Sequence, residues 1–268
     1  MKIAIVGVGF VGNAVARAFE NTTTLLVDPK LGTDISAVIE FEPNVSFVCT
    51  PTPSSEDGRA NTKITLEAIQ YLLQNTYGLV VVKSTVPPSF AAQFAKSERV
   101  VFNPEFLTER NAIADMIGAS TVILGGTEYA CSLIEEYYRK HSICFAYNYL
   151  HVSGEEACWI KYITNTMLAV KVAYLNELYS YFTDKQSWSN VVNILREDAR
   201  LGTSHWLVPG LDGKRGFGGA CLPKDSKALL HEAPSLSILK TVIESNNYFR
   251  SLYEPELREL EQNIKFKE

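Results

Sequence analysis

Short apolar runs recur through the first half of the chain, separated by longer amphipathic stretches. The runs lie at residues 2–6, 24–27, 45–49, 79–83, 99–102 and 121–124, with a last one expected at 143–146. Several are apolar throughout rather than alternating, the pattern of parallel strands covered on both faces. Strands alternating with helices through short connections predict a doubly wound α/β domain of the Rossmann type over residues 1–148.

After Asn148 the pattern changes. Ser153-Gly154-Glu155-Glu156 is a capping box, and no proline or glycine interrupts the largely apolar stretch from there to about Phe182. As one helix it would be about 42 Å long. It is too apolar to be a one-sided surface helix, so it should be covered on more than one side. A homodimer through the 153–182 helix is the expected arrangement. Further helical patterns stand at 189–197, 227–231 and 236–260, which makes residues 149–268 a smaller all-helical domain built on the long central helix. The stretch 51–61 reads as a surface loop.

Composition narrows the functional classes. The chain is 46% hydrophobic and 21% charged, with a formal net charge of -5, which argues against a nucleic-acid or anionic-membrane partner. No apolar run reaches membrane-spanning length, and the first residues form a strand entering a glycine turn, not a signal peptide. The five cysteines are scattered, without a CxxC pair or a His/Cys cluster. A reduced cytoplasmic protein without a bound metal is expected.

Two segments carry chemistry. Gly7-Val8-Gly9-Phe10-Val11-Gly12 follows a strand and opens a helical pattern, the context a dinucleotide-binding turn requires. Gly7 would make the tight turn, Gly9 would admit a pyrophosphate, and Gly12 would permit close helix–strand packing. Asp28 closes the second strand, 21 residues after Gly7, where a carboxylate would accept from ribose hydroxyls. Lys30, two residues on, would meet a 2′-phosphate if NADP were used; Asp28 favours NAD.

The second segment is Gly216-Phe217-Gly218-Gly219-Ala220-Cys221-Leu222-Pro223-Lys224-Asp225, a thiol in a glycine-rich loop with a lysine and an aspartate behind it. Glycines let a ligand approach the sulfur, the cation favours thiolate, and the carboxylate can accept a proton or orient a water. Taken alone, the loop reads equally well as a turn with an incidental cysteine.

With both segments in view, the sequence resembles the UDP-glucose/GDP-mannose 6-dehydrogenase family. The matching pieces, in order, are Lys83-Ser84-Thr85-Val86-Pro87, Asn103-Pro104-Glu105-Phe106-Leu107-Thr108-Glu109, Lys161-Tyr162-Ile163-Thr164-Asn165 with Asn176-Glu177, the Cys221 loop, and Ser245-Asn246-Asn247. The resemblance implies oxidation of the C6 alcohol of a nucleotide sugar to a carboxylate, with two hydrides passed to two NAD⁺. It implies Cys221 as nucleophile, with Lys161, Asn165 and Asp225 around the reacting carbon. Glu105 and Glu109 would lie at the sugar and water side, beside Phe106 and Leu107. Thr52, Thr85, Glu109 and Lys224 would meet the cofactor or its waters.

Elementary chemistry supports those roles. An aldehyde over a thiolate forms a thiohemiacetal, whose oxidation leaves a thioester. Lys161 and Asn165 are four residues apart on a helix, so both leave one face, and an ammonium with an amide N–H suits the developing oxyanion. Hydrolysis needs a base, for which Asp225 or Glu109 is suited. The chain departs from the family in two places. The segment between Asp28 and Cys49 is short, and the chain reaches Glu268 where the family continues into a second nucleotide-gripping domain. A short member is therefore expected, with the 203–219 loop, including Lys214, Arg215 and Gly218, facing the substrate diphosphate. Two alternatives stay open: a single-hydride hydroxyacid-type dehydrogenase, and a catalytically silent NAD-binding partner subunit.

Overall fold

A computed structural model of the chain describes residues 1–266, apart from the side chain of Glu109. The described strands are β1 (Lys2–Val6), β2 (Thr23–Val27), β3 (Val45–Val48), β4 (Leu79–Val82), β5 (Val100–Phe102), β6 (Thr121–Gly125) and β7 (Asn148–Val152). They form one sheet in the order β2-β1-β3-β4-β5-β6-β7, parallel throughout except where β5 meets β6. β3 and β4 are buried at every residue, which explains their unbroken apolar runs. Side chains alternate between faces along β1. Ile3 and Ile5 join Phe19, Phe47 and Tyr138 in one core, and Ala4 and Val6 join Val48, Ile69 and Leu72 in another.

The connections carry α1 (Phe10–Ala18), α2 (Ala37–Phe41), α3 (Lys63–Asn75), α4 (Pro88–Ala92), α5 (Ala112–Gly118) and α6 (Glu128–His141). Between β2 and β3 there are only a 3-10 turn at Pro29–Leu31 and the five-residue α2. The last strand is not at 143–146, where Phe145 is 75% exposed. It is β7, paired with β6 from Thr121↔Asn148 to Gly125↔Val152. As an edge strand it is covered less than β3 or β4, and its Asn-Tyr-Leu-His-Val composition lacks the signature of a buried run.

The capping box forms as expected: Ser153 N–H donates to Glu156 Oε2 at 2.7 Å, and Glu156 N–H donates to Ser153 Oγ at 3.2 Å. It starts α7 (Gly154–Tyr179), followed by α8 (Lys185–Leu195), α9 (Leu222–Glu232), α10 (Ser237–Arg250) and α11 (Leu257–Glu261). The single helix expected over 236–260 is two helices, because Pro255 lacks the N–H a continuous helix needs. None of the described helices is long and apolar enough to cross a membrane.

The chain divides into two compact units: Met1–Thr52 with Asn61–Lys161, and Pro53–Ala60 with Tyr162–Glu268. The division falls inside α7, later than the 148/149 boundary the sequence suggests. β7 belongs to the sheet, and Ala157 and Cys158 of α7 pack into its second core. The 51–61 stretch is also more than a surface loop. Ser54 is buried, its N–H donates to the Gln262 carbonyl at 3.0 Å, and its own carbonyl accepts from Asn263 Nδ2 at 2.9 Å. In the second unit Leu175, Trp188, Val192, Trp206 and Val208 form one apolar cluster, and Ala169, Val172, Ala173 and Phe217 another.

Candidate active site

In the first unit the glycine turn leaves β1 beside the end of β3. Gly7 has φ +92°, and a Cβ there would lie 2.7 Å from the Cys49 carbonyl oxygen. A Cβ on Gly12 would lie 2.1 Å from the Gly7 oxygen. Both positions are closed to any side chain. Gly9 differs: a Cβ there meets nothing within 4 Å. Two glycines therefore build the turn, and the third leaves open space at the start of α1, where Phe10 and Val11 begin the helix. A helix N-terminus facing open space suits a diphosphate.

Asp28 has a role the sequence does not announce. Its Oδ2 accepts the Val8 N–H at 2.7 Å and its Oδ1 accepts the Lys30 N–H at 2.8 Å, so it ties the end of β2 to the glycine turn. The Val8 N–H, then the Lys30 N–H, hold this carboxyl below its ordinary value. A carboxylate has about four lone-pair sites, so acceptor capacity remains for ribose hydroxyls. The Lys30 side chain is on the exposed 3-10 turn. At the ends of β3 and β4, Thr52 Oγ1 donates to the Thr85 carbonyl at 2.9 Å, joining two expected cofactor residues. Glycine turn, helix start and carboxylate together fit a dinucleotide at the carboxyl ends of parallel strands.

Glu105 follows β5 and is buried with Lys161. Lys161 Nζ donates to the Glu105 carbonyl and to its Oε1, the latter at 3.1 Å, and lies 5.3 Å from the centre of the Phe106 ring. Glu105 Oε2 accepts the Leu107 N–H at 2.7 Å. Glu105, Phe106 and Leu107, expected at the sugar side, are thus brought together with Lys161, expected at the reacting carbon. Asn103 anchors the segment: its Oδ1 accepts from Lys83 at 3.0 Å and Tyr138 at 2.7 Å, and its Nδ2 donates to the Ile123 carbonyl at 2.8 Å. Burial pushes the Lys83 ammonium below its ordinary value. The Glu109 side chain lies outside the described residues.

In the second unit Cys221 is the N-cap of α9, and its carbonyl accepts the Asp225 N–H at 2.8 Å. The helix begins at Leu222 rather than at 227, with Pro223 in the first turn where its missing N–H costs nothing. A thiol at a helix N-terminus sits where negative charge is favoured. Asn165 Nδ2 donates to Asp225 Oδ2 at 2.6 Å, and Lys224 Nζ donates to Asp225 Oδ1 at 2.5 Å. Four of the expected residues therefore meet here.

Two asparagines that the sequence marks only as landmarks hold the loop ahead of Cys221. Asn176 Oδ1 accepts the Gly216 N–H at 2.8 Å. Asn246 Oδ1 accepts the Phe217 N–H at 2.6 Å, and its Nδ2 donates to the Phe217 carbonyl at 3.0 Å. The basic pair of the loop is engaged internally. Lys214 Nζ donates to the Glu254 carbonyl at 2.8 Å. Arg215 donates to the Asn176 carbonyl and, at 2.7 Å, to Ser180 Oγ, with its guanidinium 4.1 Å from the centre of the Phe249 ring. Among the described residues, no group of three or more His, Cys, Asp or Glu could hold a metal ion.

Comparison with known proteins agrees with both halves. Residues 30–142 match the NAD binding domain of the UDP-glucose/GDP-mannose dehydrogenase family, and residues 155–248 match its central domain. A protein of Bacillus subtilis named putative UDP-glucose 6-dehydrogenase is 30% identical over 85% of this chain. The chain spans 62% of that relative's length. The UDP-glucose 6-dehydrogenase of Campylobacter jejuni is 27% identical over 98% of this chain and 76% of its own. The solved UDP-glucose dehydrogenase of Pyrobaculum islandicum superposes with a TM-score of 0.74 at 25% identity, over 92% of this chain and 68% of that one. With both domains matched in order behind a dinucleotide turn, the chain is an NAD-binding member of the UDP-glucose/GDP-mannose dehydrogenase family.

Proposed function

We propose that this chain oxidises the C6 alcohol of a nucleotide sugar of the UDP-glucose kind to the carboxylate, using Cys221 as a covalent nucleophile. The observation that carries this reading is the Asn165–Asp225 hydrogen bond beside the helix that Cys221 begins. It supplies an oriented carboxylate and a thiol on one short helix. NAD, when bound, serves as the hydride acceptor.

The chain's own groups divide the remaining work. Gly9 and the start of α1 receive the diphosphate of the cofactor, and Asp28 its ribose hydroxyls. A first hydride leaves C6 and the alcohol proton passes to water, giving the aldehyde. The Cys221 thiolate then adds to it, forming a C–S bond as the carbonyl π pair moves onto oxygen. Lys161 and Asn165, one turn apart in α7, are the donors for that oxygen. Oxidation of the thiohemiacetal leaves a thioester, which water cleaves to the acid and the thiol. Asp225 takes the proton from that water.

On this reading the first unit holds the cofactor, and the second holds the sugar and, with the long helix α7, forms a symmetric dimer. Exposed apolar residues along α7, among them Met167 at 64% and Tyr174 at 62%, support the dimer. Light scattering showing only monomer at micromolar concentration would remove it. The covalent step is tested by Cys221→Ala, which should abolish acid formation and leave NAD binding intact. Acid formation by that variant would end the proposal.

A further inference from the structure

We propose that Glu259, buried in an ion pair with Arg250, is a positioning residue for Cys221, holding the loop backbone two residues ahead of the thiol. The proposal rests on the reading of Cys221 as nucleophile. Glu259 is fully buried and Arg250 is 1% exposed. Arg250 Nη2 donates to Glu259 Oε1 at 2.6 Å, and its Nη1 donates to Asp212 Oδ2 at 2.6 Å. The same Glu259 Oε1 accepts the Gly219 N–H at 3.0 Å, while Oε2 accepts the Glu256 N–H at 2.8 Å. One carboxylate therefore joins the last residue of α10, the start of α11 and the glycine loop.

The charges need a reason beyond joining helices. A buried ion pair contributes little stability compared with apolar residues of the same volume. An apolar pair would hold α10 to α11, but it would leave the Gly219 N–H without an acceptor inside the protein, which is costly. The loop backbone lies directly on the pair. A Cβ on Gly218 would stand 2.4 Å from Glu259 Oε1 and 2.5 Å from Arg250 Nη2, and one on Gly216 would stand 3.1 Å from Arg250 Cγ. Asn176 and Asn246 fix Gly216 and Phe217, and Glu259 fixes Gly219, the last glycine before Ala220 and Cys221. Arg250 also reaches Asp212, so the pair meets both ends of the segment 212–219, Asp212 through Arg250 and Gly219 through Glu259. Arg250 and Glu259 both lie beyond residue 248, where the family match ends.

The test compares two double variants that both take away the cation partnering Asp212 and differ only at Glu259: Arg250→Met with Glu259→Gln, and Arg250→Met with Glu259→Leu. Glutamine keeps an acceptor for the Gly219 N–H; leucine does not. The readouts are the rate of Cys221 alkylation by iodoacetamide, kcat, KM for the nucleotide sugar, and the melting temperature. Relative to the glutamine pair, the leucine pair should show a changed alkylation rate and a kcat lower by about tenfold or more, with KM little changed. Equal Cys221 alkylation rates and equal kcat in the two folded pairs would overturn the proposal. Should the leucine pair not fold, Glu259→Asp keeps the charge but withdraws the acceptor by one methylene. Altered Cys221 alkylation at an unchanged melting temperature supports the proposal, and an unaltered rate overturns it. Acid formation by Cys221→Ala would instead overturn the nucleophile reading, and the alkylation comparison stays informative in that event.

Discussion

Asn165 donates to one oxygen of Asp225 at 2.6 Å while Lys224 donates to the other at 2.5 Å. The carboxylate is thus fixed from two sides, one turn after the cysteine that caps its helix. Asp225→Asn preserves the shape but removes the base and sets an amide against Asn165. We expect kcat to fall by about 100-fold, with NAD affinity within about twofold of the parent. A first turnover should still release NADH as a burst, because hydrolysis comes last. Unchanged steady-state kcat would remove Asp225 from the mechanism.

The three glycines of the first turn should separate cleanly on substitution. Gly12→Ala places a Cβ 2.1 Å from the Gly7 oxygen and should cost about 3 kcal/mol of stability by overpacking. Gly9→Ala meets nothing within 4 Å, so the fold should be unaffected. Its Cβ would instead occupy the space given to the diphosphate, and NAD affinity should drop by about tenfold or more. Thermal melts with and without NAD distinguish the two. Tight NAD binding by Gly9→Ala would place the diphosphate elsewhere.

Asp28 links stability to pH and cofactor choice to charge. Its folded value is depressed below 3.8, chiefly by the Val8 N–H and then by the Lys30 N–H. The stabilisation is therefore present above the ordinary value and is lost as pH falls through the depressed one. Asp28→Ala should melt lower than the parent at neutral pH, and the gap should close only in strong acid. A gap that closes near neutrality would contradict this. The same variant should lose about tenfold in preference for NAD over NADP, since a carboxylate near a 2′-phosphate repels it. Calorimetric titration with each nucleotide checks that.

The cysteines should label selectively. Burial pushes the Cys49 and Cys131 thiols up to about 12, and it raises Cys144 as well. Their folded values are raised, so they stay protonated until pH rises well above neutral. Cys221 is half-buried, as Cys49 and Cys144 are, but it stands at the start of α9, where negative charge is favoured. Iodoacetamide near pH 8 should modify Cys221 at least about tenfold faster than Cys49 or Cys131, as peptide mass spectrometry would show. Comparable labelling of Cys49 in the native protein would contradict the assignment.

The sheet, the capping box of α7 and the loop carrying Cys221 were legible because each rests on local pattern. β3 and β4 are uniformly apolar, Ser153 and Glu156 are three residues apart, and the glycines cluster. The misplaced last strand shows the limit of that reading. Residues 143–146 are apolar but Phe145 is exposed, whereas β7 is mixed in composition and held by pairing with β6. Long-range partners were hidden as well. Nothing near Glu259 in the sequence signals that it meets Gly219, forty residues away, or that Asp28 bonds Val8. Lys214 and Arg215 look available in the sequence, yet their donors reach the Glu254 and Asn176 carbonyls.

The central claim is four-electron oxidation through Cys221, and its most direct measure is the ratio of NADH formed to nucleotide sugar consumed. UDP- and GDP-sugars would each be incubated with the purified chain and excess NAD, with the products resolved by chromatography. The account predicts two NADH per sugar, a uronic acid product, and no acid from Cys221→Ala. One NADH per substrate, with an aldehyde or keto product, would contradict it.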